Sequence, residues 1–138
     1  MNEIVDRLYI GDWNDALSLT HSNPNSIAAV LNVCENINVG LAMSSYLHIP
    51  FPDHFPIPAD KFSICMSWLN AQYNSCRRRV FVHCACGVSR SPTICAAFLT
   101  KVGLASNIDE ALTIIKNARP QADPDFLVFA SARSYVGN

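Results

Sequence analysis

The chain has no excess of either charge: 10 lysines and arginines stand against 11 aspartates and glutamates, a formal net charge of −1. That removes the global electrostatic case for nucleic acid or an anionic membrane as a partner. No apolar run is long enough to cross a bilayer. The first residues, Met1-Asn2-Glu3-Ile4-Val5-Asp6-Arg7, lack the basic and apolar segments of a secretory leader. No repeat, low-complexity tract or linker interrupts the 138 residues, so one domain over 1–138 is expected. Half of the residues are apolar, enough for a substantial core. Six cysteines could suggest a disulfide scaffold, but Cys34 ends an apolar strand pattern and Cys65 and Cys95 fall within apolar helical patterns. There cysteine behaves as a small hydrophobe. Free thiols imply a reducing compartment. A cytoplasmic monomer is expected, with a nuclear location also open.

Val5-Asp6-Arg7-Leu8-Tyr9-Ile10 alternates and predicts an edge strand stopped by Gly11. Asp12 can cap a short helix to about Leu19. Ile27 to Val33 predicts a buried strand, Asn38 to Ser45 is ambiguous with some helical character, and Tyr46 to Ile49 predicts another strand. Pro50 to Pro58 has four prolines in nine residues and must be a stiff loop. Phe62, Cys65, Met66, Leu69 and Tyr73 share one face of a helix from about Ala59 to Ser75. Arg77-Arg78-Arg79 reads as a solvated charge run. Val80 to Cys84 predicts a strand and Ser91 to Lys101 a helix stopped by Gly103. Ser106 or Asn107 caps a further helix ended by Pro120, and Pro124 opens the last one in its first turn. Strands alternating with helices define an α/β fold, a central, mostly parallel sheet flanked by helices. Ligands bind such sheets at the carboxyl ends of the strands.

His83-Cys84-Ala85-Cys86-Gly87-Val88-Ser89-Arg90-Ser91 stands at one such end, between a strand and a helix start. A helix start offers free N–H groups and a positive dipole end, together an anion site. A free thiol is mostly protonated at neutral pH, and lowering its pKa by about 3 units takes ~4 kcal/mol, of which a helix end contributes at most about 2 kcal/mol. Inward-pointing N–H groups of Ala85, Cys86, Gly87, Val88 and Ser89, with Arg90, must therefore supply the remainder. Gly87 permits the backbone turn this needs. Arg90 offers a planar fork for two phosphate oxygens, and Ser91 can donate a hydrogen bond to the sulfur. One nonapeptide thus combines a nucleophile with a cradle for a dianion.

His83-Cys84, five intervening residues and Arg90-Ser91 resemble the signature of the cysteine-dependent protein tyrosine phosphatases. Ala85 with Gly87-Val88-Ser89-Arg90-Ser91 is most similar to the dual-specificity branch. Leu8-Tyr9-Ile10-Gly11 with Ala16, Val30-Leu31-Asn32-Val33, and Arg119-Pro120 with Pro124 resemble other segments of that family, in the same order. The resemblance implies phosphorylated proteins as substrates and hydrolysis of phosphotyrosine, with phosphoserine and phosphothreonine, without metal or cofactor. Cys84 would attack phosphorus and form a phosphocysteine, while Arg90 and the loop N–H groups bind the equatorial oxygens. A loop aspartate would protonate the leaving oxygen. Asp53, on the proline-rich loop, is the candidate, and Asp60 is second to it. His83 would orient the loop. The family's usual asparagine after the last proline is replaced by Asp125, which could alter loop packing or repel acidic substrates.

The same residues weigh against other functions. The uncharged loop interior argues against a phosphoinositide or RNA 5′-end phosphatase. A phospho-dependent binding module would usually lack the cysteine. A rhodanese-type sulfur transferase fits the loop serine and Asp53 poorly. A zinc site from His83, Cys84 and Cys86 is too cramped for a tetrahedron. Cys86 or Cys34 could act as a resolving thiol for oxidised Cys84, against the plainer alternative of inert thiols. Phe51 and Phe55 flank Asp53 and could wall the cleft.

Overall fold

The computed structural model describes residues 1–38, 40–43 and 45–137. Five strands form one sheet: β1 (Asn2–Val5), β2 (Leu8–Gly11), β3 (Ala29–Asn32), β4 (Ser45–His48) and β5 (Val80–His83). Their order is β1-β2-β5-β3-β4, with β1 antiparallel to β2 and every other pair parallel. The helices are α1 (Trp13–Ser18), α2 (Ala59–Asn70), α3 (Arg90–Lys101), α4 (Ile108–Ala118) and α5 (Phe126–Val136). This is the α/β architecture expected of the alternating pattern.

The near-continuous apolar runs of β2, β3 and β5 are buried along their whole length, as parallel strands covered on both faces must be. One face packs against α2 to α5 through Leu8, Ile10, Leu31, Val80, Val82, Phe62, Ile94, Phe98, Ile115 and Val128. The other is closed by α1 and its neighbouring loops through Tyr9, Ala16, Ile27, Val30, Leu41 and Phe81. Helix α3 is buried from Arg90 to Leu99 because α2, α4 and α5 surround it. Each of its large apolar side chains contributes on the order of 1.5–3 kcal/mol by burial.

The structure corrects several boundaries. Val5 to Ile10 is not one edge strand. Asp6 and Arg7 form a turn, with Arg7 at φ +67°, and β2 lies inside the sheet while β1 takes the edge. Alternation alone could not show the reversal, because the turn falls inside the pattern. No helix forms among the described residues between Asn38 and Ser45; Val39 and Ser44 lie outside them. Helix α2 gives way at Ala71 to a wider π turn ending at Ser75. Arg78 and Arg79 are half-buried rather than solvated: Arg78 donates to Gln72 Oε1 (2.7 Å) and Arg79 to Tyr9 Oη (2.6 Å). Pro124 precedes α5 rather than entering it. Asp125 is the N-cap, its carboxylate accepting from the N–H groups of Leu127 (3.0 Å) and Val128 (3.3 Å).

Candidate active site

Strand β5 ends in register with β3, His83 beside Asn32, at the carboxyl edge of the parallel strands. Cys84 follows, 2% exposed. The loop that leads from it to α3 has its carbonyls turned outward, and each one is held. The Trp13 N–H donates to the Ala85 carbonyl (3.2 Å) and the Asp123 N–H to that of Val88 (2.8 Å). The buried Arg119 guanidinium donates to Gly87 (Nε, 2.8 Å) and Cys86 (Nη2, 3.3 Å). With the carbonyls engaged outside, the N–H groups are free to face the centre. That of Gly87 donates to Cys84 Sγ at 3.2 Å. Ser91 Oγ lies 3.2 Å from the same sulfur.

Gly87 is required twice over. Its φ is +67°, and a Cβ there would lie 2.5 Å from Arg119 Nη2 and 2.8 Å from the Gly11 carbonyl. Arg90, the first residue of α3, turns its buried side chain back beneath the proline-rich loop, where Nη1 donates to the Phe51 carbonyl (3.1 Å). Its Nε is buried and has no protein acceptor. A buried guanidinium with an uncommitted donor is suited to an anion.

Asp53, on the loop between β4 and α2, meets the phosphate-type loop through Ser89, whose hydroxyl donates to Oδ1 at 2.9 Å. Asp53, Cys84, Ser89 and Arg90, with Cys86, Val88 and the acidic Asp123 and Asp125, line one cleft of about 300 Å³. Asp60 instead occupies the first turn of α2, outside that cleft. A larger apolar groove of about 450 Å³ between the start of α2 and α5 carries neither thiol nor arginine. Of the two phenylalanines beside Asp53, Phe51 is buried and Phe55 is 60% exposed.

His83 is buried, and burial pushes its imidazole down to about 4, so it is neutral at physiological pH. Its Nδ1 lies 3.3 Å from the Cys84 carbonyl and 3.8 Å from Cys34 Sγ. Cys34 is also buried; desolvation and then the nearby Cys84 push its thiol up to about 12. Cys86 is exposed in the cleft. Two groups at the site escaped sequence reasoning. Arg119 could have been signalled only by its place in the Arg-Pro segment. His54 could have been signalled by its position between Asp53 and the prolines. His54 Nδ1 lies 3.1 Å from Asp125 Oδ1, and that hydrogen bond, then the charge of Asp53, holds its imidazole above the usual histidine range.

The Gly87 N–H and Ser91 at the Cys84 sulfur, an arginine with a donor to spare, and a carboxyl group across the cleft form an arrangement suited to a phosphate. The chain belongs to the dual specificity phosphatase family: the model of its catalytic domain matches residues 8–132. Over 128 residues it is 36% identical to Dual specificity protein phosphatase 2 of Mus musculus, covering 90% of this chain and 39% of that protein. The crystal structure of DUSP15 superposes with a TM-score of 0.85 at 26% identity, over 97% of this chain and 85% of that one. Human DUSP28 shares the fold, with a TM-score of 0.87 at 19% identity over 99% of this chain and 96% of that one. The chain spans less than half the length of three curated relatives it matches, 39%, 19% and 20%.

Proposed function

We propose that the protein is a dual-specificity protein phosphatase that cleaves phosphotyrosine and phosphoserine or phosphothreonine through a phosphocysteine on Cys84. The observation that carries this is the position of Cys84 Sγ, 3.2 Å from both the Gly87 N–H and Ser91 Oγ, in the cleft that Arg90 lines. Family membership supports phosphorylated proteins as the substrates and both classes of phosphoresidue.

In the first step the Cys84 thiolate attacks phosphorus in line, the S–P bond forms and the P–O bond to the substrate breaks. Asp53 gives its proton to the departing oxygen. Arg90 and the loop N–H groups bind the three equatorial oxygens, where charge accumulates in the transition state. In the second step water attacks the phosphocysteine, Asp53 takes a proton from it, and the sulfur leaves as thiolate. The Ser91 hydroxyl donates to that sulfur and makes it a better leaving group. Neutral His83 is no general base here. It shapes the loop through the Cys84 carbonyl.

The test is turnover and binding of a phosphotyrosine peptide. Cys84→Ser should reduce phosphate release to background while still binding the peptide, and Arg90→Ala should lose both. Acid quenching of the wild type during turnover should trap phosphate on Cys84, seen by mass spectrometry. Full turnover by Cys84→Ser would refute the mechanism. Phosphate release from a phosphoinositide in preference to every phosphopeptide would refute the substrate class.

A further inference from the structure

A closed ring of four residues surrounds the mouth of the cleft. Ser89 Oγ donates to Asp53 Oδ1 (2.9 Å) and accepts from the Asp125 N–H (3.0 Å). Asp125 Oδ1 lies 3.1 Å from His54 Nδ1, and His54 Nε2 lies 3.6 Å from Asp53 Oδ2. The ring joins three separate pieces of chain: the proline-rich loop, the phosphate-type loop and the start of α5. The imidazole stands between two carboxylates, and the charge of Arg90, at the start of α3, opposes them.

Capping alone does not account for Asp125. An asparagine would cap α5 through the same Leu127 and Val128 N–H groups, but would bring no charge to His54. Phe51 and Ile57 anchor the two ends of the loop in the core, and the Pro58 carbonyl caps the start of α2. Its four prolines have no N–H to donate, and side chains from elsewhere hold it by Arg90 at the Phe51 carbonyl, Lys61 at the Pro50 carbonyl and Ser131 at the Ile57 N–H. His54 itself sits at φ +68°, a left-handed conformation that side chains rarely adopt.

We propose that His54 is a positioning residue, a latch whose bond to Asp125 pins the proline-rich loop to the start of α5 and keeps Asp53 over the phosphate-type loop. The inference rests on Asp53 being the general acid. A latch of this kind matters only when the leaving group needs a proton. It should leave untouched the hydrolysis of esters whose alcohols depart as stable anions.

The experiment compares kcat/KM for phenyl phosphate, a poor leaving group, with that for dinitrophenyl phosphate, a good one. The variants are His54→Asn, chosen because asparagine tolerates left-handed φ, Asp125→Asn, their double and Asp53→Asn. The pair is exposed and screened by solvent. Each single latch variant should therefore lose about fivefold on phenyl phosphate, stay within about twofold on dinitrophenyl phosphate, and be no worse when combined. Asp53→Asn should lose about 100-fold or more on phenyl phosphate. A latch variant that slows both substrates alike, slows neither, or adds fully to its partner overturns the latch while Asp53→Asn still discriminates. If Asp53→Asn itself slows both substrates equally, the general-acid assignment falls, and the latch with it.

Discussion

The two loops that meet at the cleft are built in opposite ways. The Cys84–Ser89 loop is held by its backbone: the Ala85, Cys86, Gly87 and Val88 carbonyls each accept a hydrogen bond from outside the loop. Two of those bonds come from the buried Arg119, and buried polar groups are costly to leave unpaired. The Pro50–Pro58 loop is held mainly by side chains reaching in from elsewhere, and its tip carries the exposed His54 and Phe55. A site that binds a dianion through backbone N–H groups needs those groups fixed before substrate arrives. A general acid needs only one carboxyl at the right place, so a handful of side-chain bonds suffices to hold it. On the proposed mechanism the chemistry relies on backbone-held groups on one side of the cleft and on side-chain contacts on the other.

The contrast is most severely broken at Gly87. Gly87→Ala forces a Cβ into the Gly11 carbonyl and the Arg119 guanidinium at positive φ. It should cost about 3 kcal/mol of stability, read from the denaturant midpoint. Phosphatase activity should fall by about 100-fold or more, since the inward N–H groups would be displaced. Near wild-type kcat/KM in this variant would show that the backbone cradle is not what holds the phosphate.

A second way to sharpen the comparison is pH. His83 underlies the rigid loop, and its folded value of about 4 lies below the value near 6.5 that it has unfolded. The unfolded chain binds the extra proton between those values. The contribution of His83 is therefore fully present above pH 6.5, declines as pH falls towards 4, and is flat below it. The loss between pH 7 and pH 5 should be about 2 kcal/mol in urea unfolding. His83→Gln should remove that part of the slope, and identical slopes for the two proteins would be the adverse result.

A smaller effect on stability is expected where the loops touch. Ser89→Ala removes the donor to Asp53 and the acceptor for the Asp125 N–H together. Stability should change by about 1 kcal/mol or less. The kcat/KM for a phosphotyrosine peptide should drop about tenfold through the loss of Asp53 placement. An unchanged rate would mean that the proline-rich loop is held without this link.

Much of this was legible in the chain. The parallel sheet follows from the apolar runs of β3 and β5 alternating with helical periodicity, and Cys84 to Ser89 join a strand end to the helix that Arg90 opens, as their spacing implies. The β1–β2 reversal was hidden because a two-residue turn at Asp6-Arg7 leaves the alternating pattern intact. The π turn after Asn70 was hidden because periodicity is insensitive to one slackened turn. Arg79 reads as surface charge until Tyr9 is brought beside it. His54 and Asp125 are 71 residues apart, and nothing local to either one pairs them.

What the sequence by itself determined is the family and the chemistry available: a thiol, an arginine and a serine at fixed offsets, with a glycine where the backbone must turn. Those offsets act locally, within one strand, one loop and one helix start. Only the tertiary structure decided which outside groups hold that loop open to an anion, namely Trp13, Arg119 and Asp123, and which side chains bring Asp53 to it. Such contacts depend on the packing of β2, α4 and α5 around β5 and α3. Hydrogen bonds between distant segments are set by that packing geometry, which no short-range pattern encodes.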